Sequence, residues 1–481
     1  MRKKQLKYTI HFINRFWLIV MRRLFGTNGI RGISNEDMNP CLALDISKAI
    51  ATYYIKKLKR DITVAIGTDA RTSNIMLKTA SISGLLSTGC NVVDLGLLPT
   101  PNLQYIVKTK KFDAGIIITA SHNPPEFNGI KVIDGDGTEL SAEQEELIEK
   151  IYFEKSFLVA NWKNIGKLSC LDNATEIYID GVLSKVDINL TKRRNLHVVL
   201  DCGNGAGSLV HPKLLKKIGC KVTLLNCEPD GFFPGRPSEP VPENLKELMK
   251  TVKEENADLG IALDGDADRA IFVDENGEYI YGDKTLALMG KYMVKKNKGG
   301  IVVTPVSTSS CLEEVVTREG GKVIYTAVGS PIVARVMIDT NAVFGGEENG
   351  GLIFPELQYC RDSAITSAKV IELIAKENKS LSELIREIPE YELVKIKVSC
   401  PNEKKQLVMK TFKNKIKAEE NVRKIDETDG VKIYVDKGWV LIRPSGTEPI
   451  FRIFAETKAK GQAEKLANRY KSILEETIEN I

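Results

Sequence analysis

The chain has no CxxC pair and no cysteine–histidine cluster at metal-ligand spacing, although it holds 9 cysteines. That excludes a zinc ribbon or a disulfide framework and suits a reducing cytoplasm. It also lacks an apolar run long enough to span a bilayer. The candidate at 8–20 is interrupted by His11, Asn14 and Arg15, and no small-residue cleavage site follows it, which argues against a signal peptide. No global basic bias is present either. The net charge is +5, but residues 1–20 carry Arg2, Lys3, Lys4, Lys7 and Arg15 with no acid, so residues 21–481 balance to zero. Neither a nucleic acid nor a membrane is therefore expected as a partner. Residues 1–20 are expected to be an N-terminal extension, with translation starting at Met21; an amphipathic extension is the alternative. Linker-like and low-complexity stretches are missing too, so close-packed domains are expected.

What remains is an ordinary globular composition, 43% hydrophobic and 27% charged, over a length that calls for three or four domains. Three stretches share one pattern of alternating strands and helices. In the first, strands are expected at 61–67, 91–95 and 114–119, with a helix at 75–87. In the second, strands fall at 197–200, 221–225 and 259–263, with helices at 212–218 and 243–255. In the third, strands fall at 301–304, 322–325 and 342–344, with a helix at 312–319. Such alternation predicts mostly parallel sheets covered by helices. Each third strand ends in a loop, at 119, 264 and 345, and ligands of open α/β sheets bind beyond strand carboxyl ends. Three such loops can line one cleft. From about residue 388 the pattern changes, with strands at 391–398, 430–435, 439–443 and 450–457 and helices at 402–419 and 460–479. This predicts a small α+β domain.

The first loop reads Thr-Ala-Ser-His-Asn-Pro-Pro at 119–125. Its prolines stop the strand and stiffen the turn, presenting Ser121 and His122; a proline turn with an incidental serine explains the same residues. Ser121 needs a base or a metal to act as a nucleophile, and no G-x-S-x-G elbow surrounds it. The second loop, Asp264-Gly-Asp266-Ala-Asp268-Arg269, sets three carboxylates at alternating positions, a hard-oxygen set suited to Mg²⁺ or Ca²⁺. Glu275 stands where an EF-hand glutamate would, but an apolar strand at 271–273 occupies that path. A solvated acidic turn is the plain alternative.

The third loop places Glu347, Glu348 and Asn349 between glycine pairs, where a carboxylate and an amide can meet sugar hydroxyls; an ordinary hairpin serves equally well. Near the C-terminus, Arg443-Pro-Ser445-Gly446-Thr447-Glu-Pro combines a guanidinium, hydroxyls and a glycine-rich backbone into a phosphate cradle. Arg452 follows on the next strand. Arg31, in FGTNGIRG at 25–32, can also meet an anion.

Together and in this order, TASHNPP, DGDADR and RPSGTEP resemble the α-D-phosphohexomutase superfamily, over essentially the whole chain from Met21. The resemblance implies three related mixed-sheet α/β domains and a C-terminal α+β domain around a central cleft. Their expected extents are 21–160 for a phosphoserine domain, 161–280 for a metal domain, 281–388 for a sugar domain and 389–481 for a phosphate domain. It implies that Ser121 is phosphorylated and that Asp264, Asp266 and Asp268 hold one Mg²⁺ together with a phosphoserine oxygen. Arg269 would lie beside that phosphate. Glu347 and Asn349 would bind the sugar; Arg443, Ser445, Gly446, Thr447 and Arg452 would bind the phosphate that is not transferred. Arg31, His122 and Lys131 map to the catalytic side, with Lys131 as general acid or base.

The implied reaction runs through a hexose 1,6-bisphosphate, which also serves as activator. The GEENGG loop is similar to archaeal-type phosphoglucosamine mutases and phosphomannomutases. Glucosamine phosphate is the expected substrate, since Glu347 and Glu348 can favour an ammonium at C2. Phosphomannomutase or phosphoglucomutase activity is the alternative, and a non-catalytic sugar-phosphate binder is a further one. No D-x-D-x-T/V strand end supports a phosphatase. A cytoplasmic monomer or homodimer is expected.

Overall fold

The computed structural model describes residues 24–481 apart from Thr27, Ala418, Glu420 and Thr447; the expected extension at 1–20 lies outside the described residues. Three four-stranded units recur with one topology. In chain order the first consists of Thr63–Thr68, Asn91–Leu97, Ala114–Ile118 and Phe127–Asp134. The second consists of His197–Asp201, Lys221–Leu225, Leu259–Leu263 and Ala270–Asp274, and the third of Gly300–Pro305, Gly321–Thr326, Phe344–Gly346 and Leu352–Ile353. In every unit the sheet order is second, first, third, fourth, and the fourth strand alone runs antiparallel. The third strands are buried throughout, as strands covered on both faces must be. Each of the three loops noted in the sequence joins the third strand to the fourth, so all three occupy equivalent places.

Ile30–Ile33 and Leu168–Cys170 extend the first sheet at its two edges, and Tyr279–Ile280 extends the second. One apolar cluster runs from Tyr178 through Leu259 and Phe344 to Ile388, so the second and third units share a core. The expected helix at 243–255 is split into a 3₁₀ turn, Pro242–Asn244, and a helix, Lys246–Glu254. Leu245 between them is fully buried; seating it in the core overrides the helical periodicity. The strand expected at 342–344 runs instead as Phe344–Gly346.

The C-terminal domain is a five-stranded antiparallel sheet in the order Glu392–Ser399, Ile450–Thr457, Gly438–Pro444, Val431–Val435, Lys424–Asp426. Helices Lys405–Lys417 and Gln462–Glu479 supply Phe412, Ile416, Tyr470 and Leu474 to its core. Among the described residues, no helix is long and apolar enough to cross a membrane.

Candidate active site

Ser121 sits at the end of the buried strand Ala114–Ile118 with a left-handed backbone, φ 53°. A side chain there stores about 1–3 kcal/mol of strain, and the surroundings must hold it. Thr119 Oγ1 accepts from the Ser121 amide at 2.8 Å. The buried Arg71 donates to four carbonyls of the loop, those of Ser121, Asn123, Pro124 and Phe127. The serine is thereby fixed, fully buried, with Oγ donating to Asp264 Oδ2 at 3.1 Å and lying 3.3 Å from His122 Nδ1. Gly265 lets the second loop come this close, since a Cβ there would lie 2.6 Å from the Ser121 carbonyl oxygen.

Asp264, Asp266 and Asp268 each offer an oxygen within 4.8 Å of the others, and all three are buried. The solvated turn is thus excluded. Burial, then the Asp268 and Asp266 carboxylates, push Asp264 well above the usual carboxylate range. Burial opposes the charge of Asp266 as well, but the Lys131 ammonium, 2.7 Å away, overrides it and holds that carboxyl low. Asp266 Oδ1 and Asp268 Oδ1 are buried and accept no hydrogen bond among the described residues. Three acids held together with two orphaned oxygens fit a small hard cation. Glu275 turns away to Ser382, which donates to it at 2.5 Å, so no EF-hand loop forms.

The other expected catalytic residues join this cluster. Arg269 Nη2 is 3.1 Å from His122 Nδ1. Arg269 foremost, then burial, push the imidazole down to about 2, so the ring is neutral. Arg31 donates to the Ala120 carbonyl and to Asn123 Oδ1. Lys131 does not have the lowered pKa that proton transfer near neutrality requires. Burial disfavours its charge, but Asp266 and Asp268 outweigh burial and raise it.

Glu347 is tied to the cluster by Arg361, which donates Nη1 to Glu347 Oε2 at 2.8 Å and Nη2 to Asp268. Asn349 Oδ1 accepts from the Gly351 amide, inside its own hairpin. Gly350 abuts the second unit, where a Cβ would meet the Ala270 carbonyl at 2.7 Å.

Arg443 and Arg452 form a second group on the C-terminal sheet. Lys397, Arg452 and Arg443 are direct partners across three adjacent strands, so three cations share one row and face. Like charges placed so are repulsive. Asp429 offsets Arg443, whose Nε lies 3.0 Å from Asp429 Oδ2, and Glu448 offsets Arg452 and Lys397, while among the described residues Arg452 Nε has no hydrogen-bond acceptor. An anion is the natural complement. The Ser445 carbonyl accepts from Lys405 Nζ and its hydroxyl accepts from the Glu448 amide. Gly446 lies in the same turn; Thr447 lies outside the described residues. Lys395 Nζ reaches Glu348 Oε1 at 3.4 Å, joining this domain to the third loop.

Four models of the phosphoglucomutase/phosphomannomutase family match in succession: alpha/beta/alpha domains I at 22–159, II at 176–277 and III at 281–391, and the C-terminal domain at 396–472. The chain belongs to this family. A phosphoglucomutase/phosphomannomutase from Thermococcus kodakarensis is 46% identical over 95% of this chain and 100% of its own. A phosphoglucosamine/phosphogalactosamine mutase from Sulfurisphaera tokodaii is 42% identical, again over 95% and 100%. A solved structure of a phosphoglucomutase/phosphomannomutase family protein from Burkholderia thailandensis superposes with a TM-score of 0.85. It is 24% identical, over 95% of this chain and 97% of that one, and shows the same fold.

Three residues that hold this cluster together went unread in the sequence. Arg71 follows an Asp two residues earlier, a weak local signal. Thr100 Oγ1 donates to Asp266 Oδ2 at 2.6 Å and Arg361 bridges two loops; neither has a local signature.

Proposed function

We propose that the chain interconverts the 6- and 1-phosphates of a hexose, with glucosamine phosphate as substrate, through a phosphoserine at Ser121 and a 1,6-bisphosphate. The observation that carries this is the buried Ser121 hydroxyl hydrogen-bonded to a carboxylate triad with two orphaned oxygens. Ser121 Oγ bears the phosphoryl group. As a sugar hydroxyl attacks phosphorus, the P–Oγ bond breaks and the serine oxygen leaves. Arg269 and Arg31 lie beside this point with fixed positive charge, the arrangement that stabilises phosphoryl oxygens. Asp264, Asp266 and Asp268 would hold Mg²⁺, which when bound neutralises charge on those oxygens. We assign proton transfer at the sugar hydroxyl to Lys131. A cation held by Asp266 and Asp268 would offset their attraction for the ammonium, which is the condition for its action near neutral pH.

Glu347 and Asn349 would face the sugar, and the Arg443, Ser445, Gly446, Thr447 and Arg452 turn would grip the phosphate that stays. The bisphosphate must turn over so that its other phosphate returns to Ser121, and added hexose 1,6-bisphosphate would prime the serine. For the sugar, the carboxylate argument weakens: Glu347 is paired with Arg361, and Glu348 with Ser307 and Lys395. The amino sugar is favoured by the relative named for phosphoglucosamine; the one named phosphoglucomutase/phosphomannomutase favours glucose and mannose phosphates as the second reading.

The test is a phosphorus NMR assay with Mg²⁺ and trace bisphosphate on glucosamine, glucose and mannose phosphates in parallel. Preferred turnover of glucosamine phosphate is expected, and Ser121→Ala should abolish nearly all of it. Wild-type-like turnover in that variant would refute the serine assignment, and faster turnover of another hexose would replace the substrate.

A further inference from the structure

Two cysteines lie together beside, but outside, the machinery above. Cys202 follows the strand His197–Asp201 and Cys227 follows the neighbouring parallel strand Lys221–Leu225. The last register pair is Asp201 with Leu225, and the Cys202 amide donates to the Leu225 carbonyl. Asn226, with a left-handed backbone at φ 51°, kinks the chain between that pair and Cys227. The result is two Sγ atoms 3.2 Å apart. Bonding the sulfurs at ~2.05 Å needs a contraction of only about 1 Å.

The two thiols are not equivalent. Cys202 is fully buried, while Cys227 is partly exposed. Burial raises the Cys202 thiol, whereas its hydrogen bond with Cys202 lowers the Cys227 thiol. An accessible thiol backed by a buried one is the arrangement that thiol–disulfide exchange requires.

We propose that Cys202 and Cys227 form a redox-active dithiol that reacts with disulfide oxidants, Cys227 entering first and Cys202 resolving. The Cys227 thiolate attacks one sulfur of the oxidant, forming a mixed disulfide and expelling one thiol. The Cys202 sulfur, losing its proton, then attacks Cys227 Sγ and expels the second thiol. Two electrons pass to the oxidant, and two protons leave the protein for the two thiols released. The bond closes beside the loop whose Ala206 amide donates to the Gly265 carbonyl of the aspartate loop at 2.9 Å, next to Ser121. This site does not depend on the proposed reaction or its substrate.

The test equilibrates the full chain with graded ratios of oxidised to reduced glutathione, followed by acid quench, alkylation and peptide mass spectrometry. A Cys202–Cys227 linked peptide, lighter by two hydrogens and reversed by dithiothreitol, is expected. The exposed Cys41 and Cys170 should instead retain glutathione. Early quenches should catch glutathione on Cys227 before the link appears, and Cys202→Ser should keep it there. Modification of Cys41 and Cys170 without any link, at every ratio, would overturn the dithiol. Glutathione arriving first on Cys202 would overturn the order of attack.

Discussion

At the scale of single residues, the site concentrates opposing charges in a buried space, and its behaviour follows from which charges lose their partners. Arg361 touches Glu347 and Asp268, all three nearly inaccessible. Replacing it with Ala leaves the buried Glu347 uncompensated and takes from Asp268 its nearest cation, with Lys131 and Arg269 remaining at 3.6 Å, which should destabilise the fold by about 3–5 kcal/mol. Urea unfolding checks this, and a loss below about 1 kcal/mol would contradict it. Asp266→Asn removes one oxygen from the proposed cation site while keeping its shape. The Mg²⁺ concentration giving half-maximal activity should rise at least about tenfold, equivalent to about 1.4 kcal/mol; an unchanged Mg²⁺ dependence counts against the triad as ligand. Ser121 and the three aspartates were legible because their chemistry is local: a stiffened loop, and alternating acids after an apolar strand. Arg361 was not, because its partners lie 14 and 93 residues away and no spacing marks it.

At the scale of elements, the helix Ser363–Glu377 supports the aspartate loop from behind. Asp362 caps it, accepting from the Ala364 and Ile365 amides and from the Tyr178 hydroxyl. Ser363 Oγ in turn contacts the Ala267 carbonyl and His211 Nε2. Burial pushes His211 down from 6.5 to about 4. Below pH 6.5 the unfolded imidazole takes up a proton that the buried ring refuses until about pH 4. Stability should therefore fall as pH drops through that window, by about 3 kcal/mol at pH 4. Urea titrations across the range test this against His211→Gln, in which that part of the acid slope should vanish. An identical slope would show that His211 is not the group responsible. The parallel strands were legible, since buried ones read as continuous apolar runs, but the helices Pro40–Leu58, Gly282–Lys296 and Ser363–Glu377 and the strand Phe127–Asp134 were not expected. Tyr279–Ile280, Leu352–Ile353 and Lys424–Asp426 were not: two or three residues carry no period, and pairing with a neighbour alone makes them strands.

At the scale of the whole molecule, the C-terminal domain meets the third unit across a seam of side-chain contacts that runs beside its cation row. The repeat of loops was visible in the sequence; the seam was not, because it joins positions more than a hundred residues apart. Trp439 Nε1 donates to Glu456 Oε1 and lies 3.0 Å from Ser310 Oγ, while the Ser310 amide donates to Glu456. Lys432 Nζ donates to the Val306 carbonyl and sits 3.8 Å from the Trp439 ring centre. Asp429 accepts from the Val328 amide and pairs with Arg443, so the seam reaches the cation row itself. Trp439→Phe removes the indole N–H and leaves Glu456 short of a donor, a loss of about 1 kcal/mol. If the seam positions the row, that loss should appear as weaker grip on the bound phosphate. KM for the hexose phosphate should rise about fivefold with kcat little changed, the signature of lost uniform binding. Steady-state kinetics distinguishes the outcomes. A fall in kcat at constant KM would place the seam's influence on phosphoryl transfer instead, and no change in either would mean that other contacts fix the domain.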